Sequence, residues 1–223
     1  MIEAVVFDLD GVIVDSEQVW DAAREALARE RGGRWNENAQ QDMMGMSSTE
    51  WSRYMNEVIG LKDPPEEISA EVVRRVEAIY RGDLPLIEGA PQAVARLAER
   101  WPLAVASSSN RPIIDLVLEL SGLKRFFRAT VSSEEVARGK PSPDVYLEAA
   151  RRLGAGPAKT AAVEDSRNGI LSAKAAGMRI IAIPNKRFPP GEEALAESDV
   201  VLESISELVP AAVEENWLSG LGG

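Results

Sequence analysis

Between Leu86 and Leu202 the chain alternates short apolar runs with amphipathic segments, and this alternation restricts its possible folds more than any other feature. Runs at Leu103–Ala106, Ala129–Val131, Thr160–Val163, Arg179–Ile183 and Val200–Leu202 read as buried strands. Helical patterns separate them: Pro91–Arg100, a segment ending at Leu120 before Ser121-Gly122, one from Ser142-Pro143 to Leu153, and one from Ser166 to Ala176. A short helix from Gly191 and a terminal helix complete the set. Strands joined in this way form a parallel sheet covered by helices on both faces, so the expected class is α/β with three layers. Ligands of such sheets bind beyond the carboxyl ends of the strands, and each polar cluster of this chain falls at such an end.

The N-terminal run Ala4–Phe7 reads as one more strand, followed at once by Asp8-Leu9-Asp10-Gly11. Side chains two apart on an extended chain point the same way, so Asp8 and Asp10 converge just past the strand. Two carboxylates that close need a cation between them, and an all-oxygen donor set suits a hard ion such as Mg²⁺. An ordinary Asp-Gly turn after a strand gives the same four letters.

Residues 16–84 differ from the rest. Val19, Ala22, Ala23, Ala26 and Leu27 form a helical stripe that stops at Gly32-Gly33, and helical patterns follow at Glu37–Met44, Ser48–Ile59 and Glu66–Tyr80. The block contains no strand pattern, so it is expected to be an all-helical insertion after the first strand. The expected domains are a core of residues 1–15 and 85–223 and a helical unit of residues 16–84.

Composition narrows the chemistry. The 223 residues contain no histidine, which removes the commonest general base, the Ser-His-Asp arrangement and imidazole zinc sites. Acid–base work must come from Asp, Glu, Lys or Tyr. There is no cysteine and no export signal, which fits a reducing cytoplasm. A formal charge of −11 argues against nucleic-acid or anionic-membrane partners, and no apolar run reaches the ~20 residues of a membrane span.

Further clusters sit at later strand ends. Ser107 leads Ser107-Ser108-Ser109-Asn110, where hydroxyls and backbone N–H groups at a helix start can hold phosphate oxygens. Turn and cap roles account for the same residues, Asn110 above all. Lys140, in Gly139-Lys140-Pro141-Ser142-Pro143, can bring one positive charge beside a carboxylate and a phosphate, or can be a solvated loop lysine. Glu164-Asp165-Ser166 can complete a metal site opened by Asp8, or simply begin a helix.

Taken in order, Asp8-Leu9-Asp10-Gly11-Val12, Ser107 after a strand, Lys140 in Gly-Lys-Pro-Ser-Pro-Asp, and Glu164-Asp165-Ser166 resemble the four motifs of the haloacid dehalogenase (HAD) superfamily. The insertion resembles the cap of the subgroup containing β-phosphoglucomutases and phosphoglycolate phosphatases. The resemblance implies a Rossmann-like core and a phosphatase acting on a small phosphorylated metabolite. It makes Asp8 the nucleophile and Asp10 the acid and base, with Ser107 and Lys140 holding the phosphoryl group. Mg²⁺ would rest on Asp8, Asp10, Glu164 and Asp165, with Gly11, Ser108 and Asn110 near the phosphate.

Departures from the family pattern refine this. Asp10 supplies the proton that an alcohol leaving group needs and a halide does not. Trp20 stands where β-phosphoglucomutases have a cap histidine, and Gly45-Met46-Ser47-Ser48 lacks their cap-loop arginine; Arg53 or Arg24 can compensate. Hydrolysis is therefore expected over mutase chemistry, and over a non-catalytic sensor, which needs no nucleophile. Trp20, Gly45, Met46 and Ser47, with Met44 and Trp51, are the expected specificity residues, alternatively cap core. A cytoplasmic monomer is expected.

Overall fold

The computed structural model describes residues 1–36, 38–43 and 46–214. The first strand, β1 (Ala4–Phe7), is followed by four helices: α1 (Glu17–Glu30), α2 (Ala39–Met43), α3 (Ser48–Glu57) and α4 (Pro65–Gly82). The alternating part then runs α5 (Ala90–Ala98), β2 (Leu103–Ser107), α6 (Arg111–Leu120), β3 (Phe127–Ser132), α7 (Asp144–Leu153), β4 (Thr160–Glu164), α8 (Arg167–Ala175), β5 (Arg179–Ala182), α9 (Glu192–Leu195), β6 (Val200–Val201) and α10 (Pro210–Val213).

All six strands are parallel, in the order β3-β2-β1-β4-β5-β6. Every residue of β1 is buried, because this central strand is covered on both faces. Val5 and Phe7 face the cluster containing Val94, Leu97, Ile113 and Val117 of α5 and α6. Val6 points oppositely, into the cluster of Tyr146, Ala149, Ile170 and Ala173 from α7 and α8. Fully burying a side chain such as Phe7 contributes about 1.5–3 kcal/mol, so the helices hold β1 firmly from both sides. The strand order reverses direction at β1, opening a crevice at its carboxyl end between β1 and its neighbours.

The expected helical insertion is present. α4 buries Ile68, Val72, Val76 and Tyr80 at four-residue spacing against α1 and α3, which offer Trp20, Leu27, Trp51 and Met55. The two segments joining this block to the sheet pair with each other. Val14 bridges Leu86 antiparallel, Asp15 N donates to Pro85 O at 2.8 Å, and Ile87 N donates to Ile13 O at 3.0 Å. No helix among the described residues is long and apolar enough to cross a membrane.

Some boundaries differ from expectation. α2 is the five-residue segment Ala39–Met43, while Glu37, Met44 and Gly45 lie outside the described residues. β3 extends to both sides of Ala129–Val131; it is one of the sheet's two edge strands, and only Val131 and Ser132 of it are buried. α7 begins at Asp144 with Pro143 as its cap, rather than with Ser142 as cap and Pro143 as first residue. Ser142 belongs instead to the preceding turn: its N–H donates to Gly139 O at 2.9 Å, and its carbonyl accepts from Ser172 Oγ at 2.6 Å.

Candidate active site

β1 ends at Phe7 and β4 at Glu164, in adjacent strands with Phe7 level with Val163. Asp8, Glu164 and Asp165 therefore arrive at one point, and one oxygen from each lies within 4.8 Å of the others. The loop before α7 brings Lys140 into the same place. Its Nζ lies 2.6 Å from Glu164 Oε1 and 3.0 Å from Asp8 Oδ1. All four residues are buried.

Glu164 is the anchor of this group. Its Oε1 also accepts from Tyr146 OH at 2.6 Å, and its Oε2 accepts from Asp165 N, Ser166 N and Ser166 Oγ at 3.1–3.3 Å. A Cβ on Gly169 would lie 1.8 Å from Glu164 Oε1, so only glycine lets the first turn of α8 pack over this carboxylate. Asp8 and Asp165 hold the freer oxygens. Asp8 Oδ1 accepts from Leu9 N at 2.7 Å as well as from Lys140, while Asp165 Oδ2 has a long 3.4 Å contact from Asn185 Nδ2.

Three carboxylates against one ammonium leave an excess of negative charge in a buried space. Burial drives the Asp8 and Asp165 carboxyls well above their ordinary range; at Asp8 the Lys140 charge pulls the other way and Glu164 adds to the rise. Burial opposes the Lys140 charge too, but Asp8 and Glu164 outweigh it and its pKa is raised. This donor set fits a divalent cation: hard oxygens, convergent, buried and short of positive charge.

Asp10 faces the same cleft. Ser107 Oγ and Ser109 Oγ donate to its Oδ2 at 3.0 and 2.8 Å, while its buried Oδ1 has no hydrogen-bond partner. Ser107 is fully buried, its Oγ also accepts Ser109 N at 2.9 Å, and it does not itself line the cleft. Ser108, Ser109 and Asn110 do. The Asn110 side chain spans two parts of the molecule: Oδ1 accepts from Ser48 Oγ at 2.8 Å, and Nδ2 donates to Glu134 Oε1 at 2.6 Å. Gly11 lies behind the carboxylates at φ +76°.

The helical block closes the cleft with Trp20, Arg24, Met43, Met46, Ser48 and Trp51. Trp20 and Trp51 are both cleft wall and core, 6% and 2% exposed. Ser47 is not part of the wall; its N–H and Oγ both reach Glu50 Oε2 at 2.7 Å, at the start of α3. Sequence reasoning passed over Glu17, whose carboxyl burial raises to about 7, with Asp10 adding to the effect. It also underrated Ser109, whose signal was its place two residues past a strand end.

The haloacid dehalogenase-like hydrolase model matches residues 2–177. The chain belongs to this family. It is 32% identical over 217 residues to hexitol phosphatase B of Escherichia coli K12, covering 92% of this chain and 93% of that one. It is 28% identical to the phosphorylated carbohydrates phosphatase of Thermotoga maritima, covering 93% of this chain and all of that one (100%). Among solved structures, CbbY from Rhodobacter sphaeroides in complex with xylulose-(1,5)bisphosphate superposes with a TM-score of 0.85 at 28% identity, covering 96% of this chain and 100% of that chain. The HAD resemblance read from the four motifs is borne out, as is the α/β core with a helical insertion.

Proposed function

We propose that this HAD-family enzyme is a magnesium-dependent phosphatase that hydrolyses a small phosphorylated metabolite through an aspartyl-phosphate on Asp8. The observation that carries this reading is the paired state of the two aspartates. Asp8 is held through Oδ1 by Leu9 N and Lys140, leaving its second carboxylate oxygen for attack. Asp10 is held through Oδ2 by two hydroxyls, and its Oδ1 has no partner in the cleft. Two acids fixed by opposite means, one beside an ammonium and one beside hydroxyls, suit a nucleophile and a proton carrier.

In the first step an Asp8 oxygen bonds to phosphorus while the bond to the leaving oxygen breaks, and Asp10 gives that oxygen its proton. In the second, Asp10 takes a proton from water as the water oxygen attacks phosphorus, releasing inorganic phosphate and restoring Asp8. Lys140 faces the phosphoryl oxygens, and the loop Ser107–Asn110 orients Asp10 and closes one side. Asp8 and Asp165, backed by Glu164, would hold Mg²⁺, which removes the repulsion between carboxylate and phosphate dianion. Residues 16–84 act as a cap over the core of residues 1–15 and 85–223, and choose the leaving group through Trp20, Met46 and their neighbours. The two phosphatase relatives support the substrate class by their names.

The test is phosphate release by the purified protein from a panel of sugar, polyol and nucleoside monophosphates. Release is expected to need Mg²⁺, to stop with a chelator, and to vanish in Asp8→Asn. Turnover by Asp8→Asn at the wild-type rate would overturn the reading.

A further inference from the structure

Arg24 has no use in the hydrolytic steps above, yet it lies in the wall of the same cleft. It projects from α1, is 7% exposed, and its guanidinium carbon sits 5.2 Å from the Trp20 ring centre and 4.9 Å from that of Trp51. The two rings stand 6.0 Å apart and tilted by 59°, so the cation is held against aromatic faces rather than by oxygen atoms. Its nearest carboxylate, Asp21 Oδ1, is 4.0 Å from Nη1, beyond hydrogen-bond reach. Both that oxygen and the buried Arg24 Nε are without a hydrogen-bond partner. Burial lowers the pKa of Arg24 to about 10, which still leaves it charged at neutral pH.

A buried guanidinium without oxygen partners is costly unless something else fills its donors. A planar fork of N–H groups matches a two-oxygen anion, carboxylate or phosphate, better than it matches a single hydroxyl. The phosphoryl end of the cleft is already provided for by Lys140 and the carboxylate group. Arg24 lies on the cap side, toward which the remainder of a bound ester must extend. Glu17 shares this cleft, and its raised pKa of about 7 reduces the negative charge an entering anion would meet. Asp21, one turn along α1, is raised by its own burial to about 6.

Resting on the phosphatase reading, we infer that Arg24 is a specificity-determining residue that receives an oxyanion on the leaving group, so that the preferred substrate is the phosphate ester of an anionic alcohol. The tryptophans position the cation and shape the wall around it, leaving less bare apolar surface than Trp20 alone would offer. A carboxylate and a second phosphate share the recognised chemistry.

Three matched three-carbon esters separate the possibilities: 3-hydroxypropanoate phosphate, 1,3-propanediol monophosphate and 1,3-propanediol bisphosphate. For the wild type, kcat/KM on the carboxylate or the bisphosphate ester is expected to exceed that on the hydroxyl ester by at least tenfold. The larger of the two identifies the anion. In Arg24→Gln this preference is expected to shrink at least tenfold, chiefly through KM, and Arg24→Lys is expected to retain part of it. Equal use of all three esters by the wild type, or an equal loss on all three in Arg24→Gln, overturns the inference and leaves the phosphatase reading standing. No phosphate release from these esters or from p-nitrophenyl phosphate overturns both. Should Arg24→Gln fail to fold, the wild-type ratio and Arg24→Lys decide.

Discussion

Gly11 and Asp165 approach so closely that a Cβ on Gly11 would lie 1.8 Å from Asp165 Oδ2. The glycine also has φ +76°, a conformation that residues with a side chain rarely adopt. Gly11→Ala is therefore expected to displace the Asp165 carboxylate and to weaken the site for its cation. Activity titrated with Mg²⁺ should show a half-saturating concentration at least tenfold higher than wild type, in line with the roughly 10–100-fold cost of disturbing a ligand's support. An unchanged metal dependence would show that Asp165 does not take part.

Tyr146 donates to Glu164 Oε1 at 2.6 Å, and the Lys140 ammonium lies 5.0 Å from its ring centre. The phenol and the ammonium thus share one acceptor. Tyr146→Phe is expected to lower stability by about 1.5–3 kcal/mol, the range for a lost hydrogen bond to a charged group, read by urea unfolding. Lys140→Met removes the ammonium that neutralises Asp8 and should reduce kcat by about a thousandfold, as losing a transition-state charge partner does. A kcat within tenfold of wild type in Lys140→Met, or unchanged urea stability in Tyr146→Phe, would contradict these roles.

Glu71 on α4 accepts from Arg74 Nε at 2.9 Å and from Arg75 Nε at 2.7 Å. These hydrogen bonds, that from Arg74 first, lower its pKa to about 2 from an ordinary 4.5. Because the folded value lies below the unfolded one, the stabilisation is complete above about pH 4.5 and is lost as pH falls toward 2. The pair is near the surface, so Glu71→Gln should lower Tm by only about 1–3 °C at pH 7. That gap should narrow steadily on acidification below pH 4.5; a gap constant from pH 7 to pH 3 would exclude an ionic origin.

The sheet and the carboxylate group were legible because each rests on a short-range pattern. Apolar runs located β1, β2 and β4, and the residues at their carboxyl ends, Asp8, Ser107 and Glu164, come to one edge of the sheet through strand geometry alone. Tyr146 carries no such pattern, and Arg24 could be named only beside Arg53 as a possible cap cation. On a helix, an arginine near two acids does not show which way it packs, and a tyrosine in an apolar stripe looks like core. Only the packing of α1 on α3, and of α7 under the loop of Lys140, sets their surroundings. Ser142 was misplaced for a related reason: its backbone is drawn into a turn by Gly139 and Ser172, contacts that a cap signal cannot register.

The chain leaves and re-enters the sheet through two segments bonded side by side, with Val14 against Leu86 and Asp15 N on Pro85 O. Both ends of the insertion are thus pinned to one spot on the core, whatever lies between them. With the block taken as the proposed cap, exchanging it for another helical unit with closely spaced ends is expected to keep Asp8, Asp10 and Lys140 in place and to change which esters are accepted.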